Sequence, residues 1–278
     1  MTAAPPRPRR RLDALAARLG LDRLELGALV ALCGLSVLVL AMLSVQGRPL
    51  SGADGLLASD QLQYFAWIRE ASHHLLIGNR FDLAPGERSF LHPGFALSGG
   101  LHALGLSIPL SYLAWKPLAV ALTFVGALRY VRRLLPAGGQ RHAALLLALF
   151  AVMPASWLVA WTNWGGNPRQ YTFDFISGEM WSGQYLWGYL MTAIAVFLMP
   201  LVLLAHERRR YVPAAAGALL VTWLQPWQGA TLALIVLGAE AVRWRRTREQ
   251  EIRSRSPRTT VRARCSAAAS RRPWRCST

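Results

Sequence analysis

The chain has 278 residues, of which 53% are apolar and only 16% charged, and it carries a formal net charge of +17. A soluble domain usually carries about 25% charged residues, so the composition argues against one, and several uncharged runs reach the roughly 20 residues needed to cross a bilayer. The positive charge does not describe a nucleic-acid-binding surface either, because it is split among Met1–Leu24, Arg129–His142, His206–Tyr211 and Arg243–Thr278, with slightly acidic connections at Gly47–Ile108 and Trp161–Gln184.

That alternation is the positive-inside pattern. It predicts a multi-pass protein of the plasma (inner) membrane with a cytoplasmic N-terminus and the two acidic connections outside. Basic charge then reports orientation and affinity for anionic lipid. Cys33, Cys265 and Cys276 have neither metal-ligand spacing nor the pattern of a disulfide framework.

Residues 1–24 read as a basic cytoplasmic lead-in, and 25–242 as the transmembrane domain. Leu26–Val45 is the first span. A cleaved signal peptide is the competing reading, but the apolar core exceeds the 7–15 residues usual for one and no small-x-small site follows. The first outer loop, 47–108, contains SDQLQYFAWIREASHHLLIGNRFD at Ser59–Asp82. A helix from about Gln61 to Gly78 would align Tyr64, Trp67, Ile68, Ala71 and Leu75 on one face. Two readings stand for it: an amphipathic helix on the membrane surface without chemistry, or the scaffold of an active site. Pro93, Gly94, Gly99 and Gly100 then interrupt FLHPGFALSGG, so one or two short surface helices are expected there.

Leu110–Val131 is the second span. It carries Lys116 near its outer third, facing either a water-filled cavity or anion, or snorkelling to the headgroups. Ala143–Ala160 is the third span, with a kink at Pro154. The second outer loop, 161–184, is followed by a fourth span at Tyr185–Ala205. Val212–Val242 is flanked by basic residues on both sides and broken by WLQPWQG at Trp223–Gly229. It reads as a hairpin of two short helices with Gln225 and Gln228 at its tip. Each arm of about 15 residues covers roughly 22 Å, short of a 30 Å hydrocarbon core, so the tip should sit in a protein-lined recess. The tail, 243–278, is rich in Arg, Ser, Thr and Pro and should be disordered or lie along anionic lipid; an out-of-frame reading of a longer gene would give the same text. The fold class predicted is all-α: a polytopic helical membrane protein with about four full spans plus a short two-helix hairpin, and amphipathic helices in the first outer loop.

This topology gathers the reactive groups on the outer side: Asp54, Asp60, Arg69, Arg80, His92, Arg169, Glu179, Gln184, Gln225 and Gln228. The segments ASDQLQYFAWIREA, LIGNRFDL, FLHPGF, YLAWKP, GEMWSGQYLWGY and WLQPWQG resemble the GT-C superfamily of integral-membrane glycosyltransferases, through a group of actinobacterial membrane proteins related to it. The resemblance covers roughly Leu26–Arg246. It implies a sugar donor linked to polyprenyl phosphate, and a catalytic base or metal-binding acid in the first outer loop, which would be Asp60, with Asp54 second. The paired D-x-D or E-x-D acids of many members are not found, since these two stand apart, and the family usually has more spans.

The chemistry fits such a reaction. A carboxylate takes the acceptor hydroxyl's proton, and a cation stabilises the departing phosphate. Asp60 would be the base. Arg69, Arg80 or Arg169 would meet the phosphate bidentately, with Lys116 holding it from below and Glu179, Gln184, Gln225 and Gln228 completing the substrate site. Trp161, Trp164, Trp181 and Trp187 would stack on sugar or form an interfacial belt. His73 and His74 diverge by about 100° on a helix, which disfavours a shared ion; a divalent metal elsewhere remains open. The alternative function is a non-enzymatic carrier of a lipid-linked substrate, or a scaffold.

Overall fold

The computed structural model describes residues 8–47, 58–78, 86–151 and 182–255. Eleven helices are found among them: α1 Pro8–Leu19, α2 Arg23–Val45, α3 Ala58–Ala71, α4 Pro93–Ala103, α5 Ile108–Leu113, α6 Lys116–Leu134, α7 Gly139–Phe150, α8 Ser182–Gly188, α9 Leu190–Glu207, α10 Tyr211–Leu224 and α11 Pro226–Arg255. The described residues form no strand, only an isolated antiparallel bridge between Ile77 and Phe90. Met1–Ala230 is one compact unit and Thr231–Thr278 a second.

Helix starts follow local chemistry. Asp22 caps α2 by accepting from the Glu25 N–H while Glu25 accepts from the Asp22 N–H, each at 2.9 Å, a reciprocal capping box. His92 and Ser107 cap α4 and α5, and each is followed by proline within the first two positions, where a missing N–H costs nothing. Pro117 and Pro226 do the same at the starts of α6 and α11.

Helix α9 is the centre of the first unit. Leu190, Ala193, Ile194 and Ala195 are almost wholly buried, and α9 packs along both α6 and α10. Close approach is achieved with small residues, as between membrane helices. A Cβ on Gly126 of α6 would lie 2.2 Å from the Phe197 carbonyl oxygen of α9. One on Gly217 of α10 would lie 2.6 Å from Val202 Cγ2.

Three stretches are long and apolar enough to cross a membrane: Arg23–Val45, Ile108–Leu134 and Leu190–Glu207. They coincide with the first, second and fourth predicted spans. Val30, Val37, Met42 and Val45 of α2 are exposed, as are Leu147 of α7 and Val212 and Leu219 of α10. Soluble monomers rarely expose so much apolar helix surface, whereas spans facing lipid must. These are the dimensions and surfaces of an integral membrane protein.

Three expectations need adjustment. The third span is represented by α7 up to Phe150; its remainder lies outside the described residues. The α3 helix ends at Ala71, not near Gly78, because the N–H groups of His73 and His74 both turn back to the Glu70 carbonyl, and Leu75 is then 70% exposed instead of extending the apolar face. The predicted hairpin tip is a real break, since α10 ends at Leu224 and α11 begins at Pro226. But α11 continues through Arg255, so the tail is helical well past Arg243. Glu240 pairs with Arg243 at 2.8 Å and Arg248 lies over the Trp244 ring at 4.1 Å, both at spacings that support an exposed helix.

Candidate functional site

Asp60 stands in the first turn of α3, where the helix dipole favours a negative charge. The Tyr189 hydroxyl donates to its Oδ2 at 2.6 Å. Tyr189 occupies the break between α8 and α9 and is only 6% exposed, so the carboxylate is tied to the most buried helix of the fold. This break is itself pinned. The Tyr112 hydroxyl donates to the Gly188 carbonyl, and the Leu190 N–H donates to the same hydroxyl at 3.3 Å. A Cβ on Gly188 would lie 2.2 Å from Nε2 of Gln61, the residue after Asp60, which in turn donates to the Trp187 carbonyl at 3.2 Å.

Tyr189 is shared with a cleft of about 330 Å³, within the range of small-ligand sites. Its aromatic walls include Tyr64, Trp67, Phe95 and Trp227, and its polar groups include His92, Thr192 and Gln225. The Tyr64 ring centroid lies 5.5 Å from that of Phe95 and 6.2 Å from that of Tyr189, so the walls form one packed aromatic cluster. Gln225 donates through Nε2 to Thr192 Oγ1 at 2.7 Å, fixing the break between α10 and α11 against α9.

His92 closes the cleft. Its Nδ1 accepts from the Phe95 N–H at 3.2 Å, which requires an unprotonated nitrogen, so Nε2 carries the proton and donates to the Leu224 carbonyl at 3.1 Å. That carbonyl belongs to the last residue of α10, whose final carbonyls have no partner within the helix. Burial pushes the His92 pKa below the ordinary imidazole value, against a smaller upward pull from the hydrogen bond to Leu224. His92 is therefore a neutral structural bridge with both nitrogens engaged.

The remaining candidates are dispersed. Arg69 is exposed on α3 and is not among the residues lining the cleft. Gln228 is half-buried in the first turn of α11. Lys116 is 8% exposed; its Nζ donates to the Ser36 carbonyl at 2.7 Å and the Leu186 carbonyl at 2.8 Å. It thus ties α6 to the middle of α2 and to α8, where the Trp187 indole also donates to the Leu35 carbonyl at 2.7 Å. Lys116 is neither lipid-facing nor snorkelling. Asp54, Arg80, Arg169 and Glu179 lie outside the described residues, as do Trp161, Trp164, Trp181 and the side chain of Gln184. His73 and His74 are exposed with ring centroids 6.5 Å apart. Among the described residues no group of three or more His, Cys, Asp or Glu side chains is arranged to hold a metal ion.

Sequence reasoning missed Tyr189, Tyr64 and Phe95 as parts of one site. The available signal is the aromatic density of the segments containing them. The charged end of the fold lies away from the cleft. Helix α9 starts beside the cleft at Leu190 and ends at Glu207, about 27 Å further along at 1.5 Å per residue. There Glu207 pairs with Arg133, Glu25 with Arg132, and Asp22 with His142. No family model matches this chain, and no curated protein or solved structure matches it.

Proposed function

We propose that this chain is a multi-pass membrane protein that binds the sugar of a lipid-linked substrate in the aromatic cleft and transfers it on the extracytoplasmic side, with Asp60 as base. The observation that carries this reading is the Asp60 carboxylate fixed at 2.6 Å by Tyr189, a residue that also lines the cleft. Aromatic faces with a few convergent polar groups suit a ring that is apolar on its faces and hydroxylated at its edge. A carboxylate at the margin of such a site is suited to accepting the proton of an attacking hydroxyl. The positive-inside pattern puts the arginine-rich end in the cytoplasm and the cleft outside. The resemblance to GT-C glycosyltransferases points to polyprenyl phosphate as the carrier of the donor sugar.

One feature favours a second reading. The described lining of the cleft contains no Lys or Arg to meet a departing phosphate, which suits a carrier that binds a lipid-linked sugar without cleaving it. Membranes holding Asp60→Asn at normal protein level separate the two. Transfer from a polyprenyl-phosphate sugar should fall by about 100-fold or more, the usual contribution of a positioned base, while binding persists. Unchanged transfer removes Asp60 from the mechanism, and unchanged binding without any wild-type transfer selects the carrier.

A further inference from the structure

At the end of the first unit opposite the cleft, a half-open pocket of about 530 Å³ is lined by Arg129, Arg132, Arg133, Arg208 and Arg210. Arg132 is paired with Glu25 and Arg133 with Glu207. Arg129, Arg208 and Arg210 have no ion pair among the described residues, so five guanidinium groups face two carboxylates. All three are exposed, open to a ligand from outside, and the balance of charge suits an anion.

Two further features specify what kind. The remaining lining is apolar: Leu201, Leu204, Ala205 and Pro213. Also, α10 begins at the pocket with Arg210 at its N-cap position and no side-chain cap, which puts the positive end of a helix dipole beside it. Arg209, at φ +57°, reverses the chain between α9 and α10, and its two neighbours line the pocket while Arg209 does not. Guanidinium forks match phosphate oxygens in pairs, and an apolar wall beside them accommodates the first carbons of an acyl chain.

We propose that this pocket binds a phosphate group carried on an anionic phospholipid, in the leaflet that faces the basic loops. Basic pockets between membrane helices are suited to such headgroups. The inference is independent of glycosyl transfer, because it concerns the other end of the molecule.

The test uses the full chain purified in neutral detergent. Its thermal unfolding is followed while phosphatidylglycerol, phosphatidylcholine or inorganic phosphate is added at constant ionic strength. Phosphatidylglycerol should raise the midpoint in a saturable way, and phosphatidylcholine should not. Arg208→Gln should weaken the apparent affinity about tenfold, as expected for one lost charged hydrogen bond. The combined change of Arg129, Arg208 and Arg210 to Gln should abolish the response, and Arg209→Gln in the same turn should retain it. Saturation by inorganic phosphate alone, with nothing added by the lipid, would keep the phosphate site and overturn the lipid as its source. Equal stabilisation by phosphatidylcholine, or equal loss in Arg209→Gln and the triple variant, would overturn the site itself. Native mass spectrometry of the triple variant guards against misfolding: a folded protein that still retains phosphatidylglycerol also overturns it.

Discussion

Among the residues lining the cleft, His92 is the histidine, the residue type whose unperturbed ionisation falls near neutral pH, and its hydrogen bonds require the neutral form. Burial lowers its folded-state pKa relative to about 6.5 for an unfolded histidine. Between those two values the unfolded chain binds the proton and the folded chain does not. The stabilisation is therefore complete above the unfolded pKa and is lost progressively as pH falls from there through the lower folded-state pKa. Midpoints of thermal unfolding should drop between pH 7.5 and pH 5.5 in the wild type. His92→Ala should cost about 1–2 kcal/mol at pH 7.5, the usual cost of losing an N-cap, and should flatten that pH dependence. An unaltered slope in the variant would mean that other groups dominate the acid response. Protonation would put a second N–H at Nδ1, against the Phe95 N–H it now accepts from, while Nε2 keeps its bond to the Leu224 carbonyl. It would loosen the start of α4 and with it Phe95 of the cleft wall, so substrate binding should weaken over the same interval.

Helix packing was legible in outline. The uncharged runs that became α2 and α9, and the break at Gln225, followed from length, charge and proline alone, because lipid tolerates few alternatives to a helix. What could not be read was which faces meet. Gly126 sits in an apolar run with nothing to separate it from its neighbours, and only the crossing with α9 makes it indispensable. A Cβ there would meet the Phe197 carbonyl oxygen, a backbone atom that cannot move aside independently. Gly126→Ala should force α6 and α9 apart and destabilise the protein by about 1–3 kcal/mol, as overpacking typically does. Gly34→Ala, on α2 where a Cβ meets nothing within 4 Å, is the control and should be neutral or slightly stabilising. Detergent stability of the two variants, compared by thermal scanning, decides whether this crossing sets the rigidity of the core.

At the scale of the molecule, the charge alternation in the sequence and the separation of two ends in the structure support one arrangement. The ion pairs of Glu25 with Arg132 and Arg133 with Glu207 gather the basic segments at one end, while Asp60, Tyr189 and the aromatic cleft lie at the other. The site was only half legible for the same reason. Polarity and topology pointed to Asp60 and Gln225, but the chain positions of Tyr64, Phe95 and Tyr189 gave no sign that three separate segments converge. Moving a guanidinium or carboxylate through hydrocarbon is costly, so the two ends should be held on opposite faces of the bilayer. In a background lacking the native cysteines, His73→Cys and Gln140→Cys place thiols at exposed positions, just past the end of α3 and at the start of α7. A membrane-impermeant maleimide applied to intact cells should label the first and reach the second only after permeabilisation. Labelling of both from the same side would break the topology on which the proposed extracytoplasmic chemistry depends, whatever the fate of Asp60.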